Sequence, residues 1–540
     1  MLPGASCAFK VVFQSMDEPV MAAAPCACGA SDLRVAPAAR ACVECAPLGP
    51  TSGSTVRNQL RVLLNGAAVC ALLYPLLAAN SRGAAPGRDR DAEQIATELR
   101  DAALGGEDMA WEWTSELTTR FGPRPAGSAS EQQAAEWAVK RLKAIGFDNV
   151  HLETFPLTAW VRGIDSAEII TPGPQPLTVA ALGESPPTPI GGLEGEVVEF
   201  PTFADLKSAP PASLTGKIAF VDERMVRMQD GSGYGVAVVA RSDGPGEAAK
   251  RGAIAYLLRS VGTDSNRIAH TGTTRYVDGR VPVPAFALAA PDADQLERLK
   301  ALGETVRVRL VSTASYVHGA HSQDVVADIR GREHPEEVVL LGAHLDSWDQ
   351  GTGAIDDAAG TGIIVAAANL IRNLPQRRPR RTVRVVLFGS EEVAQPVAPF
   401  GAFGGQTYAD NHKAELAQHV LAGESDLGAD RVYRLALPRA VIDSDFSRSV
   451  FRVLEPLGVL AAKEPPEDAG TDVGPSVEAG VPAFLLFQDA TRYFDIHHTP
   501  DDTLDKIDRE ELDQNVAAWA ALVWLAADSA VDFRTHAATH

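Results

Sequence analysis

The period of the hydrophobic pattern changes along the chain, and each change marks a kind of element. Over residues 89–146 it is helical. In "SASEQQAAEWAVKRLKAIGF" the apolar Ala135, Ala138, Leu142 and Ile145 share one helix face, and Gly146 supplies the stop. Ser130 with Gln133 three residues on reads as the capping box that opens this helix. Over residues 186–311 the runs shorten to "GEVVEF", "GKIAFVD", "GAIAYLLRS" and "VPVPAFAL", strand-like text broken by one helix around residues 246–251. After residue 327 the rhythm is strand, loop, helix: "EEVVLLGAHLD", "DDAAGTGIIVAAANLIRNL", "RTVRVVLFGSEE". Continuous apolar strands alternating with helices predict an α/β fold, a mixed and mostly parallel sheet flanked by helices, with a β-rich domain inserted into it. The chain closes on "DREELDQNVAAWAALVWLAADSAVDF", a helix capped by Asp508.

Length and composition sharpen this picture. At 540 residues the chain is too long for one core. With 45% hydrophobic and 22% charged residues it reads as globular, and a net charge of −21 excludes a nucleic-acid binder, which needs a basic face. All six cysteines, from Cys7 to Cys70, come early, so nothing later can form a disulfide or a thiolate metal site. Arg57 and Arg61 precede an apolar stretch over 62–79 and a small-residue exit, the anatomy of a secretory signal peptide at about 56–85. The expectation is an exported protein, secreted or periplasmic, held at a membrane only if that segment stays uncleaved, with translation starting near Val56. The expected division is a leader plus signal at 1–85, the first part of the main domain at 86–185, the insert at 186–312 and the remaining part of the main domain at 313–540.

The chemistry gathers at strand ends, where α/β sheets collect ligands. "VVLLGAHLD" ends in His344 and Asp346, Asp356-Asp357 precede the next helix, and "RVVLF" runs into Glu391-Glu392. Asp426 in "ESDLGAD" and His497-His498 in "YFDIHHTPDDTLDKID" follow. Histidines and carboxylates without cysteine suit zinc. One carboxylate between two ions gives the spacing of hydrolytic two-metal sites, and adjacent glutamates can divide metal binding from proton transfer.

Together "GAHLDSWDQGTGAIDDAAGTG", "GSEE", "ESDLGAD", "GTDVGPSVEAGVP" and "HHTPDDTLDKID" resemble the co-catalytic two-zinc exopeptidases, and within them the carboxypeptidase Q (plasma glutamate carboxypeptidase) group and its bacterial homologues. The resemblance covers about residues 95–530 and implies that the insert is a protease-associated domain. It implies two zinc ions per chain held by His344, Asp356, Glu392, Asp426 and His498, with Asp356 bridging. Glu391 would be the general base, Asp346 would orient His344, and Gly470, Thr471 and Asp472 would lie near the substrate cleft. It implies hydrolysis of short unblocked peptides or dipeptides, and a homodimer. An aminopeptidase of the same family, a non-catalytic relative and a single-zinc cyclase-like enzyme are the alternatives. One departure is the long loop 393–405 with Pro396 and Pro399, expected to border the cleft and set substrate preference. His270, in the insert, reads as structural.

Overall fold

The computed structural model describes residues 86–106, 108–375, 377–398, 401–467 and 469–534. The leader, the expected signal segment and all cysteines lie outside the described residues. Five strands make the sheet that carries the site: β1 (Asp148–Val161), β2 (Ser315–Ile329), β3 (His334–His344), β4 (Arg381–Phe388) and β5 (His419–Glu424), in the order β1-β2-β4-β3-β5. Parallel pairing is confined to β4-β3-β5, while β1-β2 and β2-β4 are antiparallel. The sheet is therefore mixed, without the parallel majority expected. The chain leaves at the end of β1 and returns at the start of β2, where Val161 pairs with Ser315, so the insert's two ends lie side by side.

Helices cover both faces of the sheet's centre, which is why β3 is apolar from Val338 to Leu341 and buried through His344. Val339, Leu341 and Ala343 of β3 pack under the helices Ala129–Ile145, Ala359–Arg372 and Arg509–Asp528, whereas Leu340 faces the helix Phe403–Asn411 on the other side. Asp508 caps the last helix by accepting from the N–H groups of Glu510 and Glu511. The helix Ala129–Ile145 starts earlier than the capping-box reading placed it. Ser128 is the cap, accepting from Glu131 N–H at 3.2 Å, and Glu131 reaches back to Gly127 N–H at 2.6 Å. Ser130 instead donates to the Pro123 carbonyl.

The second sheet has eight strands and begins at Asp165, ahead of the expected boundary at 186, because Asp165–Thr171, Gln175–Leu177 and Val179–Ala181 join it. It is α/β instead of β-rich. Leu193–Phe200, Lys217–Val221, Ala255–Arg259 and Ala285–Leu288 run parallel, with the helices Phe203–Ser208 and Ser232–Lys250 between them and Ala290–Ala301 after the last. The short helix expected at 246–251 is the end of Ser232–Lys250, whose glycines hide its period. Gly244 is one of them, and a side chain there would collide with the Tyr256 ring.

Glu184 lies in this unit, fully buried, accepting from the Tyr276 hydroxyl while its own carbonyl accepts from Tyr316. Burial pushes its carboxyl up to about 8 from 4.5. The folded chain thus holds this proton more tightly than the unfolded chain does. Its contribution to stability is full below about 4.5 and falls as the pH rises through 8. Glu184→Gln should flatten that fall by on the order of 4 kcal/mol. Urea unfolding of both proteins at pH 5 and pH 9 tests this, and parallel losses in the two would remove Glu184 as the cause.

Candidate metal centre

The opening of "GAHLDSWDQGTGAIDD" ends β3 with His344 buried at the sheet's carboxyl edge. Its loop returns under Arg124, which donates to the carbonyls of Leu345 (2.7 Å), Gly122 (2.9 Å), Thr352 (2.7 Å) and Gly353 (3.0 Å). Asp502 accepts from the N–H groups of Ala354 and Ile355 at 2.7 and 2.8 Å. These bonds set down Asp356 and Asp357, which are joined by a cis peptide just before the helix Ala359–Arg372. Asp357 accepts from Gly360 N–H, at the start of that helix, and from His344 N–H.

Asp356 stands between two histidines. Its Oδ1 is 3.2 Å from Nε2 of His344, and its Oδ2 is 3.3 Å from Nε2 of His498. Asp426 Oδ1 lies 3.3 Å from the same nitrogen of His344, and Glu392 Oε2 lies 3.0 Å from that of His498. Two groups thus share one carboxylate: His344, Asp356 and Asp426, and His498, Asp356 and Glu392. His497 stands beside them, its Nε2 3.7 Å from Asp356 Oδ2, and groups with Asp356 and His498.

The donors fit zinc. Ligands 2.0–2.1 Å from a tetrahedral zinc stand roughly 3.3 Å apart, close to the separation of each carboxylate from its histidine here. Glu392 Oε1 is buried without a hydrogen bond, as is Asp356 Oδ2, and natural folds rarely leave such atoms unmatched. Burial and the neighbouring Asp426, Asp346 and Asp356 push Glu391 up to about 8, and burial with Asp356 and Glu391 raises Glu392 well above the usual carboxylate range. A divalent cation reverses such crowding. Burial also takes His498 down to about 4, the neutral form that offers a lone pair.

Asp346 touches both His344 and the glutamate pair. His344 Nδ1 meets its backbone carbonyl at 3.0 Å and its carboxylate only at 3.7 Å. That carboxylate accepts instead from the N–H groups of Glu391 (3.0 Å) and Glu392 (3.3 Å), and so fixes the turn that presents both glutamates.

A cavity of about 1150 Å³ opens over the centre, lined by Asp356, Glu391, Asp426 and, from the second sheet's unit, Tyr234 and Arg241. Gly470 and Thr471 line it too. Gly470 has φ +113°, and a side chain there would strike Glu424. Asp472 sits behind that wall, accepting from Gly405 N–H at 3.1 Å. None of the described residues of loop 393–405 lines the cavity. Gln395 ties the loop to Thr158, and Ala402 N–H bonds the Glu391 carbonyl, so the loop braces Glu391 from behind. His270 is structural, bonded to Asp264 and to the His497 carbonyl.

Sequence reading did not single out Arg124, Asp502, Tyr234 or Arg241. Asp502 lies inside the quoted "HHTPDDT", where Pro500 and the Asp pair after it are turn-forming; the others carry no such signal.

The description "Peptidase family M28" matches residues 324–523, which contain every residue of both groups. The crystal structure of a peptidase M28 precursor from Shewanella amazonensis SB2B is 42% identical, covers 83% of this chain and 99% of its own, and superposes with a TM-score of 0.78. This chain belongs to peptidase family M28. Carboxypeptidase Q of Mus musculus is 33% identical over 438 residues, 81% of this chain and 90% of that one, in line with the resemblance read from the motifs. A zinc aminopeptidase from Bacillus subtilis shares the fold, with a TM-score of 0.57 at 20% identity over 78% of this chain and 95% of its own. The M28 enzyme described here is a zinc-dependent exopeptidase.

Proposed function

We propose that this M28 enzyme hydrolyses short peptides with free ends, dipeptides foremost, using two zinc ions held by His344, Asp356 and Asp426 and by His498, Asp356 and Glu392. The position of Asp356 carries this reading, one carboxylate oxygen turned to each histidine. When bound, the ions supply a lowered pKa for the attacking water and polarisation of the scissile carbonyl. Glu391 is the general base. It lines the cavity beside the centre, forms none of the close contacts within the two groups, and takes the water's proton for delivery to the leaving amine. Asp346 positions it through the backbone. The second sheet's unit, read as the protease-associated insert, closes the cleft with Tyr234 and Arg241.

The test is zinc per purified chain, with dipeptide hydrolysis before and after chelation. Two zinc ions, with activity lost to chelator and restored by zinc, are expected. One ion per chain would favour the cyclase-like alternative. Two ions with turnover only of longer peptides from the amino end would favour the aminopeptidase.

A further inference from the structure

Two buried polar side chains flank the metal centre, a guanidinium with no carboxylate partner among the described residues and a carboxyl group with one oxygen unbonded. Arg241, 4% exposed, comes from the helix Ser232–Lys250 and reaches the His498–Glu392 end. Its Nε donates to the Thr273 carbonyl at 3.3 Å, its Nη1 stands 3.4 Å from His498 Nδ1, and its guanidinium lies 5.5 Å from the Tyr234 ring centre. Among the described residues no carboxylate pairs with it. His498 gives it little. Nδ1 of that ring faces the Thr271 carbonyl at 3.3 Å while Nε2 points to Asp356 and Glu392. Nδ1 therefore carries the proton, and it has no lone pair to accept from Arg241.

Glu424 ends β5 on the His344–Asp426 side, two residues before Asp426. Its Oε2 accepts from the N–H groups of Asp472 (3.0 Å) and Val473 (2.9 Å). Its Oε1 is buried with no partner, and the residue is 3% exposed. Both side chains line the cavity. Burying a guanidinium without its opposite charge, or a carboxyl oxygen without a hydrogen bond, is costly, so folds keep such groups where a ligand completes them.

A peptide laid across the centre, with its scissile carbonyl over Asp356, sends one end toward each of these groups. We propose that Arg241 receives the α-carboxylate and Glu424 the α-ammonium of the substrate, so that the cleft selects a zwitterionic dipeptide. The guanidinium fork matches a carboxylate, and an ammonium supplies the donor that Oε1 lacks. The proposal rests on the dipeptidase reading for the reaction, but not for binding.

The experiment uses the full-length, zinc-loaded chain with leucyl-alanine, its carboxyl-end amide and its N-acetyl form. The wild type should prefer the free dipeptide over both blocked forms. Arg241→Met should lower kcat/KM for the free dipeptide about 10- to 100-fold and leave the amide within a few-fold, with Arg241→Lys recovering part of the loss. Glu424→Gln should do the same for the free dipeptide while sparing the acetylated one. Zinc content should stay at the wild-type level in all three. Equal losses on free and blocked substrates, or a wild type indifferent to blocking, would overturn the proposal. If the wild type cleaves none of the three, the dipeptidase reading falls. Calorimetric binding of the same compounds then judges the anchors alone, and they stand only if Arg241→Met weakens the free dipeptide and not its amide.

Discussion

Glu391→Gln is expected to keep the wild-type zinc content and to lose about 10²- to 10⁴-fold in kcat, the range for a positioned general base. The substitution is nearly isosteric and leaves the backbone N–H bonded to Asp346 Oδ1 at 3.0 Å, so the turn that also carries Glu392 stays in place. Glu391 makes none of the 3.0–3.3 Å contacts that join the two groups around Asp356, so its loss subtracts no ligand from either. KM for a dipeptide should change far less than kcat, because the proton leaves the attacking water only as the reaction proceeds. Full turnover in this variant would remove Glu391 from the mechanism. Loss of zinc along with activity would make it a ligand instead of a base.

Asp356→Ala should act on the metal itself. Without Asp356, one group keeps only His344 and Asp426 and the other only His498 and Glu392, fewer protein ligands than a catalytic zinc usually has. Zinc after dialysis is expected to fall below one ion per chain, and dipeptide hydrolysis to fall below detection. The helix Ala359–Arg372 should survive, since its first turn is held by Asp357 through Gly360 N–H and by buried packing around Ile363 and Ile364. Circular dichroism checks that the fold persists. Two zinc ions retained at full activity would show that Asp356 is not shared.

Much of this candidate centre was legible in the chain because each proposed ligand sits beside a strong local signal. His344 follows a run of apolar residues that can only be a buried strand, and Glu391-Glu392 follow another. Strand ends in such a sheet converge, so the order of the motifs already implied a meeting point. The resemblance to the carboxypeptidase Q group added roles, and the match to family M28 agrees with it. The capping box slipped by two residues because Ser128 and Ser130 both suit a cap, and only the fold shows that Ser130 turns to Pro123. The helix Ser232–Lys250 was missed over most of its length because its glycines and Pro245 erase the apolar period.

The sequence by itself determined the class of chemistry: two histidines and acidic residues at strand ends, no cysteine nearby, and a glutamate pair able to divide two tasks. Tertiary structure alone decided which atoms meet. That Asp356 splits its oxygens between His344 and His498, that the Asp346 carboxylate holds the Glu391 backbone, and that Gln395 ties loop 393–405 to Thr158 are contacts the local pattern does not record. The same holds for Arg241, more than two hundred residues from His498 in sequence and 3.4 Å from it in space. Local pattern records which face a residue turns to the core. It carries no record of which distant partner waits there, because that is set by how two sheets joined by one crossing, from β1 out and back through β2, come to rest against each other.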